Sequence, residues 1–597
     1  MAPSGSADMP RHPKAPSGSA DRPKYPEAPS NSADRPKHPT PPSSSADKAR
    51  HPTAPPGPAD AARQQPRRAR TNRAGGSGAA AFRADPARRA AYDVLRAVTD
   101  RDSYANLLLP ALLAERGLTG RDAAFATELT YGTLRGRGTY DAILAACSDR
   151  DQLDPPVQDV LRLGAHQLLA TRIGHHAAVA TSVDLVKDVC GPRPSGFVNA
   201  VLRRVATRDL EAWMAIVAPD RAQDPSGYLA VRHSYPRWIV DAFRDALGEA
   251  ADAELEDALA AGNVRPDVVL AVTPGPAGFL EPGQATTRTQ WSPYGLRLAG
   301  GDPARLVATG QAAVQDEASQ LAALALSRVE PAGAAGQDRL WLDLCAGPGG
   351  KARLLASLAA VRGARLVASD LRPHRARKVL RALRRARPGH ANDSVASGHA
   401  NDSVPSGHAN DSVPSGHGND SVPSGHGNDS VPSDHGNDGA RPDRGNGSAQ
   451  SGQANDSAVV VADGLRVPWP PGTFDRVLAD VPCSGLGSLR RRPEARWRKT
   501  PEAVRDLARL QRGLLNAALD SVRPGGVVAY VTCSPHVAET REVVTAVAGG
   551  RGDVTILDAP AVLAEVPGLR APEPRFAQFW PHRHGTDAIF LALLRRE

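Results

Sequence analysis

From residue 338 onward the chain alternates short apolar runs with amphipathic stretches, and this alternation constrains the fold more than any other feature. Five runs read as strands: LWLDL, RLVAS, AVVVA, FDRVLAD and GVVAYVT. Helical patterns lie between them: the segment after Gly350, then RPHRARKVLRALRRA and PEAVRDLARLQRGLLNAALDSV. VTILD and AIFLALLRR add two strand candidates near the end. Strands separated by helices imply a parallel sheet covered on both faces, the doubly wound, Rossmann-like α/β class. Such sheets bind ligands outside the carboxyl ends of their strands, so functional residues are sought there.

The preceding region reads differently. Between residues 84 and 212, the segments PARRAAYDVLRAV, NLLLPALLAERG, RDAAFATELTYGTLRGRGTYDAILAAC, VQDVLRLGAHQLL, HAAVATSVDLVKDV and SGFVNAVLRRVA space apolar residues near i, i+3, i+4 and i+7. This predicts an all-α bundle. Residues 213–335 form a connecting region with helix (WIVDAFRDAL) and possible strand (VVLAVTP). The α/β domain then runs over 336–597.

Two repeats interrupt this plan. Residues 2–53 repeat with period 13 and are rich in Pro, Ser and Ala. Too little apolar surface is available there to offset the ordering entropy, so residues 1–80 are expected to be a disordered tail. A second repeat, of period nine, lies inside an insertion over 388–457 and spaces His390, His399, His408, His417, His426 and His435 evenly. Gly, Asn, Asp, Ser and Pro around them hold no fixed geometry, so a flexible loop is expected and no metal site.

The five cysteines include no C-x-x-C pair, which argues against a disulfide framework and structural zinc. The first residues are polar and no apolar run approaches the ~20 residues that span a bilayer. A cytoplasmic chain without membrane contact is expected. The net charge is +9; residues 1–73 contribute +7 and residues 388–457 contribute −7, so the remainder is itself basic. That suits a polyanionic partner, although an Arg-rich composition alone produces the same charge.

Five strand ends carry a coherent set of groups. Asp343-Leu344-Cys345-Ala346-Gly347-Pro348-Gly349-Gly350-Lys351 follows the first strand and opens a helix. Its glycines permit a sharp turn close to a ligand. Neither G-x-G-x-x-G nor G-x-x-x-x-G-K-[ST] is present, so nucleotide phosphates are not the natural ligand. Asp370 closes RLVASD, the position of a ribose-binding carboxylate, and Asp463 closes VVVAD, where a side chain can meet an adenine amino group. Each acid alone is equally an exposed strand-end Asp; the ordered set points to adenosine. Asp480-Val481-Pro482-Cys483-Ser484-Gly485 ends the fourth strand, and Thr532-Cys533-Ser534-Pro535 ends the fifth. A free cysteine is usually a small hydrophobe, but two at consecutive strand ends suggest chemistry.

These motifs resemble the signatures of the RNA (cytosine-5) methyltransferase family, Sun/RsmB type, in D-L-C-A-G-P-G-G-K, A-D-V-P-C-S-G and V-T-C-S. FVNAVLRRV resembles the NusB-like, RNA-binding domain that precedes the catalytic domain in the 16S ribosomal RNA members. VQDEASQL at 314–321 is similar to the segment before the core, and HGTDAIFLALLRR to the closing strand, with Thr586 and Ala588 departing from the usual pattern. The resemblance covers about 84–597 apart from the insertion. It implies a class I methyltransferase domain that uses S-adenosyl-L-methionine to methylate C5 of a cytidine in 16S ribosomal RNA. It implies that residues Cys345 through Lys351, with Asp370, Asp463 and Asp480, hold the cofactor. It also implies Cys533 as nucleophile, Cys483 as an aid to product release, and Asp480 between cofactor and base. DNA methyltransferases attack with the cysteine of a Pro-Cys motif, here Cys483; the RNA class carries both and uses the later one. RNA, not DNA, is the expected partner of a monomer. Transfer RNA as substrate, or a non-catalytic NusB-like RNA-binding factor, are the alternatives. Trp497, after RRRPEAR, suits either a core position or an RNA contact.

The chemistry explains the residue types. C5 of cytosine is a poor nucleophile until a thiolate adds to C6, which is covalent catalysis. The target base must also leave its stack.

Overall fold

A computed structural model describes residues 84–274, 286–299, 303–308, 310–333, 338–385 and 457–597. Both repeat segments, and the histidines of the second, lie outside the described residues.

The first helices are α1 (Pro86–Asp100), α2 (Ala105–Glu115), α3 (Gly120–Arg135), α4 (Arg137–Cys147), α5 (Pro155–Ala170), α6 (His175–Cys190), α7 (Ser195–Val205) and α8 (Leu210–Val217). Helix α1 begins where its sequence says: Pro86 suits the first turn, and the Asp85 carboxylate accepts the Arg88 N–H at 3.0 Å. The apolar run over 121–147 reads as one segment but divides at Gly136 into α3 and α4. A Cβ on Gly136 would lie 2.4 Å from the Tyr140 ring, so the tight junction needs glycine. Helix α5 is buried on almost every side and packs against α1, α3, α4, α6 and α7, with Val160, Leu161 and Leu163 fully buried.

The connecting region holds α9 (Pro225–His233), α10 (Arg237–Leu247) and α11 (Ala251–Ala261). A small antiparallel sheet follows, β1 (Val268–Val272), β2 (Thr286–Arg288), β3 (Gly295–Leu298) and β4 (Ala312–Val314), in the order β2-β3-β1-β4. Between its last two strands lies α12 (Ala304–Ala308), and α13 (Glu317–Arg328) leads into the α/β region.

That region runs β5 (Leu340–Asp343), α14 (Gly350–Val361), β6 (Arg365–Asp370), α15 (Pro373–Arg385), β7 (Ala458–Val461), β8 (Phe474–Asp480), α16 (Pro501–Ser521), β9 (Val522–Thr532), α17 (Arg541–Gly549), β10 (Val554–Leu557), α18 (Ala559–Val562), β11 (Ala577–Gln578), α19 (Pro581–His584) and β12 (Phe590–Arg596). The strand order is β10-β12-β9-β8-β5-β6-β7, with β11 pairing β12. Strands β5 to β9 pair in parallel, and β12 runs antiparallel to both β9 and β10. All seven strand candidates are present. Helices α13, α14 and α15 cover one face of the sheet; α16 and α17 cover the other. The chain moves outward from β5 to β7, then returns to β8 on the other side of β5. The topological switch point therefore lies between β5 and β8, the expected place for a ligand crevice. The insertion joins α15 to β7, so its flanks are at the amino ends of the strands.

The helical and α/β parts share a core. Leu486, Leu489, Ala495, Trp580 and Ala588 pack with buried residues of α9, α10 and α11. A 3-10 turn over Pro493–Trp497 fastens the joint. The Arg496 side chain is fully buried and donates to the carbonyls of Ser234 (3.1 Å) and Gly262 (3.0 Å) and to the Tyr235 hydroxyl (3.2 Å). Its guanidinium lies 3.8 Å from the Tyr235 ring centroid. Glu494 accepts the Ala105 N–H at the start of α2 (3.2 Å), and Arg498 donates to the carbonyls of Val98 and Ser103. Trp497 is half-buried against the start of α4, where a Cβ on Gly138 would lie 2.6 Å from its ring. Trp497 is a joint residue; its ring packs on protein where a base would have to stack.

Candidate active site

The loop after β5 is shaped by what it must avoid. A Cβ on Gly347 would fall 2.3 Å from the Asp370 carboxylate, and Gly349, at φ +113°, would press on the backbone of Val379 in α15 at 3.1 Å. Only glycine permits this approach of the loop to β6 and α15. The Asp370 carboxylate accepts the N–H groups of Gly347 (3.0 Å) and Arg372 (2.9 Å) and lies 3.4 Å from Arg375. Arg375 also donates to the Gly347 carbonyl. Loop and strand end are thus locked together. Asp463 follows β7 on the same edge, where its carboxylate takes the Leu465 N–H at 2.9 Å. Asp463 makes no side-chain bond to the rest of the group among the described residues.

A second group gathers at the switch point. Lys351, in the first turn of α14, reaches Asp480 at the end of β8, with Nζ 3.0 Å from Oδ2. Burial disfavours the Lys351 charge, yet Asp480, with Cys533 and Asp343, holds its pKa above the ordinary lysine value. Asp343, at the end of β5, is fully buried, and neither carboxylate oxygen has a well-formed hydrogen bond among the described residues. Burial first, then the nearby Asp480 charge, push its pKa well up; Lys351 and the Cys345 N–H offset this only in part. Cys345 is likewise pushed up, by burial and by the carboxylates of Asp343, Asp480 and Asp370, which makes it a poor nucleophile.

The two remaining cysteines meet. Cys483 Sγ and Cys533 Sγ are 3.0 Å apart, both unbridged. Their environments differ. Hydrogen bonding from Cys483 and the Lys351 charge draw the Cys533 pKa below its usual value against burial and Asp480. The same hydrogen bond, burial, the Cys533 charge and, after these, the Glu539 charge push Cys483 up. Of the two, Cys533 has the surroundings that favour the charged form, and Cys483 those that favour the neutral thiol.

Several residues that hold this centre were not among the sequence-based candidates. Glu539 and Gln511 are fully buried and bind the loop around Cys483. Nothing in a single sequence distinguishes them from surface residues. Arg490 and Arg491 form a buried ion cluster with Asp316 and Asp587: Arg490 and Arg491 reach Asp316 at 2.9 and 2.8 Å, and Arg491 reaches Asp587 at 2.9 Å. Asp316 sits in VQDEASQL and Asp587 in HGTDAIF, so the arginine run and these two motifs converge.

Comparisons with known proteins give the family. The family model "16S rRNA methyltransferase RsmB/F" matches residues 333–412 and 445–595, and the NusB family model matches residues 85–207. A protein of Mycobacterium tuberculosis that bears the name of a methyltransferase is 46% identical over 521 residues, covering 86% of this chain and 97% of its own. The chain belongs to the RsmB/F family of 16S rRNA methyltransferases. A second relative, the ribosomal RNA small subunit methyltransferase B of Pseudomonas putida, is 28% identical over 522 residues, covering 85% of this chain and 98% of its own. Among solved structures, the crystal structure of PH0851 matches with a TM-score of 0.60 at 18% identity, over 86% of this chain and 98% of that one. That likeness extends across both the helical and the α/β parts of this family member. Among the described residues no helix is long and apolar enough to cross a membrane, and no cluster of metal-binding side chains occurs.

Proposed function

We propose that this chain transfers a methyl group from S-adenosylmethionine to C5 of a cytidine in 16S ribosomal RNA, with Cys533 as nucleophile. The observation that carries the proposal is the asymmetric thiol pair, 3.0 Å apart, beside the Lys351–Asp480 ion pair at the switch point. Helices of residues 84–212 supply the NusB-like RNA-binding part, and the region from 336 is the catalytic domain.

The residues present fit the cofactor. Gly347 leaves no room for its own side chain, Asp370 ends β6 as a ribose acceptor, and Asp343 offers buried carboxyl oxygens without a well-formed hydrogen bond among the described residues. Residues Cys345 through Lys351, with Asp370 and Asp463, would hold S-adenosylmethionine, which supplies an electrophilic methyl group when bound. Cys533 Sγ bonds to C6 of the base, and electron density moves toward C5. Asp480, sharing a proton with N3 of the base, would stabilise the charge that develops on the N3/O2 side. After transfer a base takes the C5 proton, the Sγ–C6 bond breaks, and Cys483 returns a proton to the departing thiolate.

Bisulfite sequencing of RNA from a deletion strain tests the target. Loss of one 16S cytidine mark is expected; loss of a transfer RNA mark, or no change, refutes it. Cys533→Ala is expected to abolish methylation, and Cys483→Ala to accumulate a protein–RNA adduct that resists denaturation.

A further inference from the structure

The backbone on both sides of Cys483 is held by one buried pair of side chains. Gln511, on α16, donates its amide to the Pro482 carbonyl at 2.8 Å. Glu539 accepts the Ser484 N–H at 2.7 Å and the Ser484 hydroxyl. Gln511 and Glu539 are themselves joined at 3.1 Å, and the Tyr530 hydroxyl donates to the Glu539 carbonyl at 2.7 Å. The Ser484 and Ser534 hydroxyls lie 3.0 Å apart, so the residues following the two cysteines are also connected. Glu539 has no exposed surface. A carboxylate so deeply placed is tolerated only because several donors converge on it.

The charges around the thiols are arranged in opposition. Lys351, Asp480 and Asp587 face Cys533. Glu539 and the Gly485 N–H face Cys483, and Tyr530 lies beside it. His536 also lies beside Glu539. Among the described residues, the Lys351 charge acts on the Cys533 side and the Glu539 charge on the Cys483 side.

We propose that Glu539 is a positioning residue: by gripping Ser484 it aims the Cys483 thiol at Cys533, and its carboxylate on the Cys483 side favours Cys483 as proton partner and Cys533 as nucleophile. The proposal deepens the function above and rests on the assignment of Cys533. Glu539 touches neither substrate nor cofactor; it acts through Cys483.

The test reads the thiols directly. Full-length protein is treated with iodoacetamide across pH 6–9, and alkylation at each cysteine is quantified by mass spectrometry. In the unaltered chain Cys533 reacts faster. In Glu539→Gln, which keeps the shape but removes the charge, the Cys533-to-Cys483 ratio is expected to fall by about tenfold, the change in thiolate fraction that one pKa unit produces. Ser484→Ala keeps the N–H bond and loses the hydroxyl; the ratio should fall in the same direction by a smaller factor. If Glu539→Gln does not fold, Ser484→Ala decides alone. An unchanged ratio in the folded variants, whatever happens to melting temperature or activity, overturns the proposal. The readout does not require methyl transfer, so it fails separately from the catalytic assignment: a Cys533→Ala protein that still methylates RNA would sink that assignment instead.

Discussion

Gly487→Ala tests how closely the two cysteine loops must approach. The Gly487 N–H donates to the Cys533 carbonyl at 2.8 Å, and the Gly487 carbonyl accepts the Ala588 N–H at 2.9 Å. Gly487 thus lies between the loop after β9 and the start of the last strand. A Cβ there would sit 1.8 Å from the Ala588 carbonyl oxygen and 2.9 Å from the Cys533 carbonyl oxygen. Both neighbours are backbone and cannot swing aside. The loops must part by about 1.2 Å to restore the 3.0 Å floor for such contacts. Losing two buried backbone hydrogen bonds costs about 2–4 kcal/mol of stability. Displacing Cys533 by about 1 Å costs on the order of 100-fold in kcat. Gly196→Ala, inside α7 with nothing within 4 Å, is the comparison and is expected to be neutral or stabilising by up to ~1 kcal/mol. The assay pairs single-turnover methylation of a 16S RNA fragment with urea unfolding. A Gly487→Ala protein with unaltered rate and stability would refute the argument that this contact sets the spacing of the loops.

Further outcomes follow from the charges and the topology. The kcat/KM is expected to rise with pH and level off below the ordinary cysteine pKa of 9.0, because Cys533 is held lower; Cys483→Ala removes the donor and should move to higher pH the rise in the rate of protein–RNA adduct formation. His166 is buried in the helical bundle with its pKa pushed down from 6.5 to about 4 by desolvation. The unfolded chain therefore takes up this proton first, and stability falls as pH drops from 6.5 to 4, by about 3 kcal/mol from this group; urea titrations of His166→Phe should lose that slope. Deleting residues 389–450 should leave methyl transfer intact, since the flanks of the insertion lie away from the ligand edge; a large loss of activity would refute that placement.

The parts of the fold legible in the sequence are those written in short-range pattern. Period-two and period-3.6 signals marked the strands and helices, and strand ends located Asp370, Asp480, Cys483 and Cys533 because a parallel sheet places all carboxyl ends on one edge. Gly136 was not legible as a break, because the apolar spacing of α3 continues into α4 and the close approach of the Tyr140 ring depends on side-chain placement that spacing does not report. Glu539 and Gln511 were hidden for a different reason: their burial depends on a loop from β8 meeting a turn after β9, which no local pattern reports.

The run RRRPEARWR shows where composition misleads. Charge density alone would suit a solvated surface, yet Arg490, Glu494 and Arg496 are buried. Each has partners far away in the chain: Arg490 meets Asp316 and Asp587, and Arg496 meets the carbonyls of Ser234 and Gly262. A guanidinium can be buried at acceptable cost only when its donors are met by several acceptors at once, so these sites demand both parts of the chain already folded. The segment begins seven residues after Cys483. It therefore ties the catalytic loop to the helical parts, and its chemistry is mechanical: Arg490 and Arg491 set the loop against the closing strand, Arg496 sets it against the connecting region around α9 and α11, and Glu494 and Arg498 set it against the NusB-like helices.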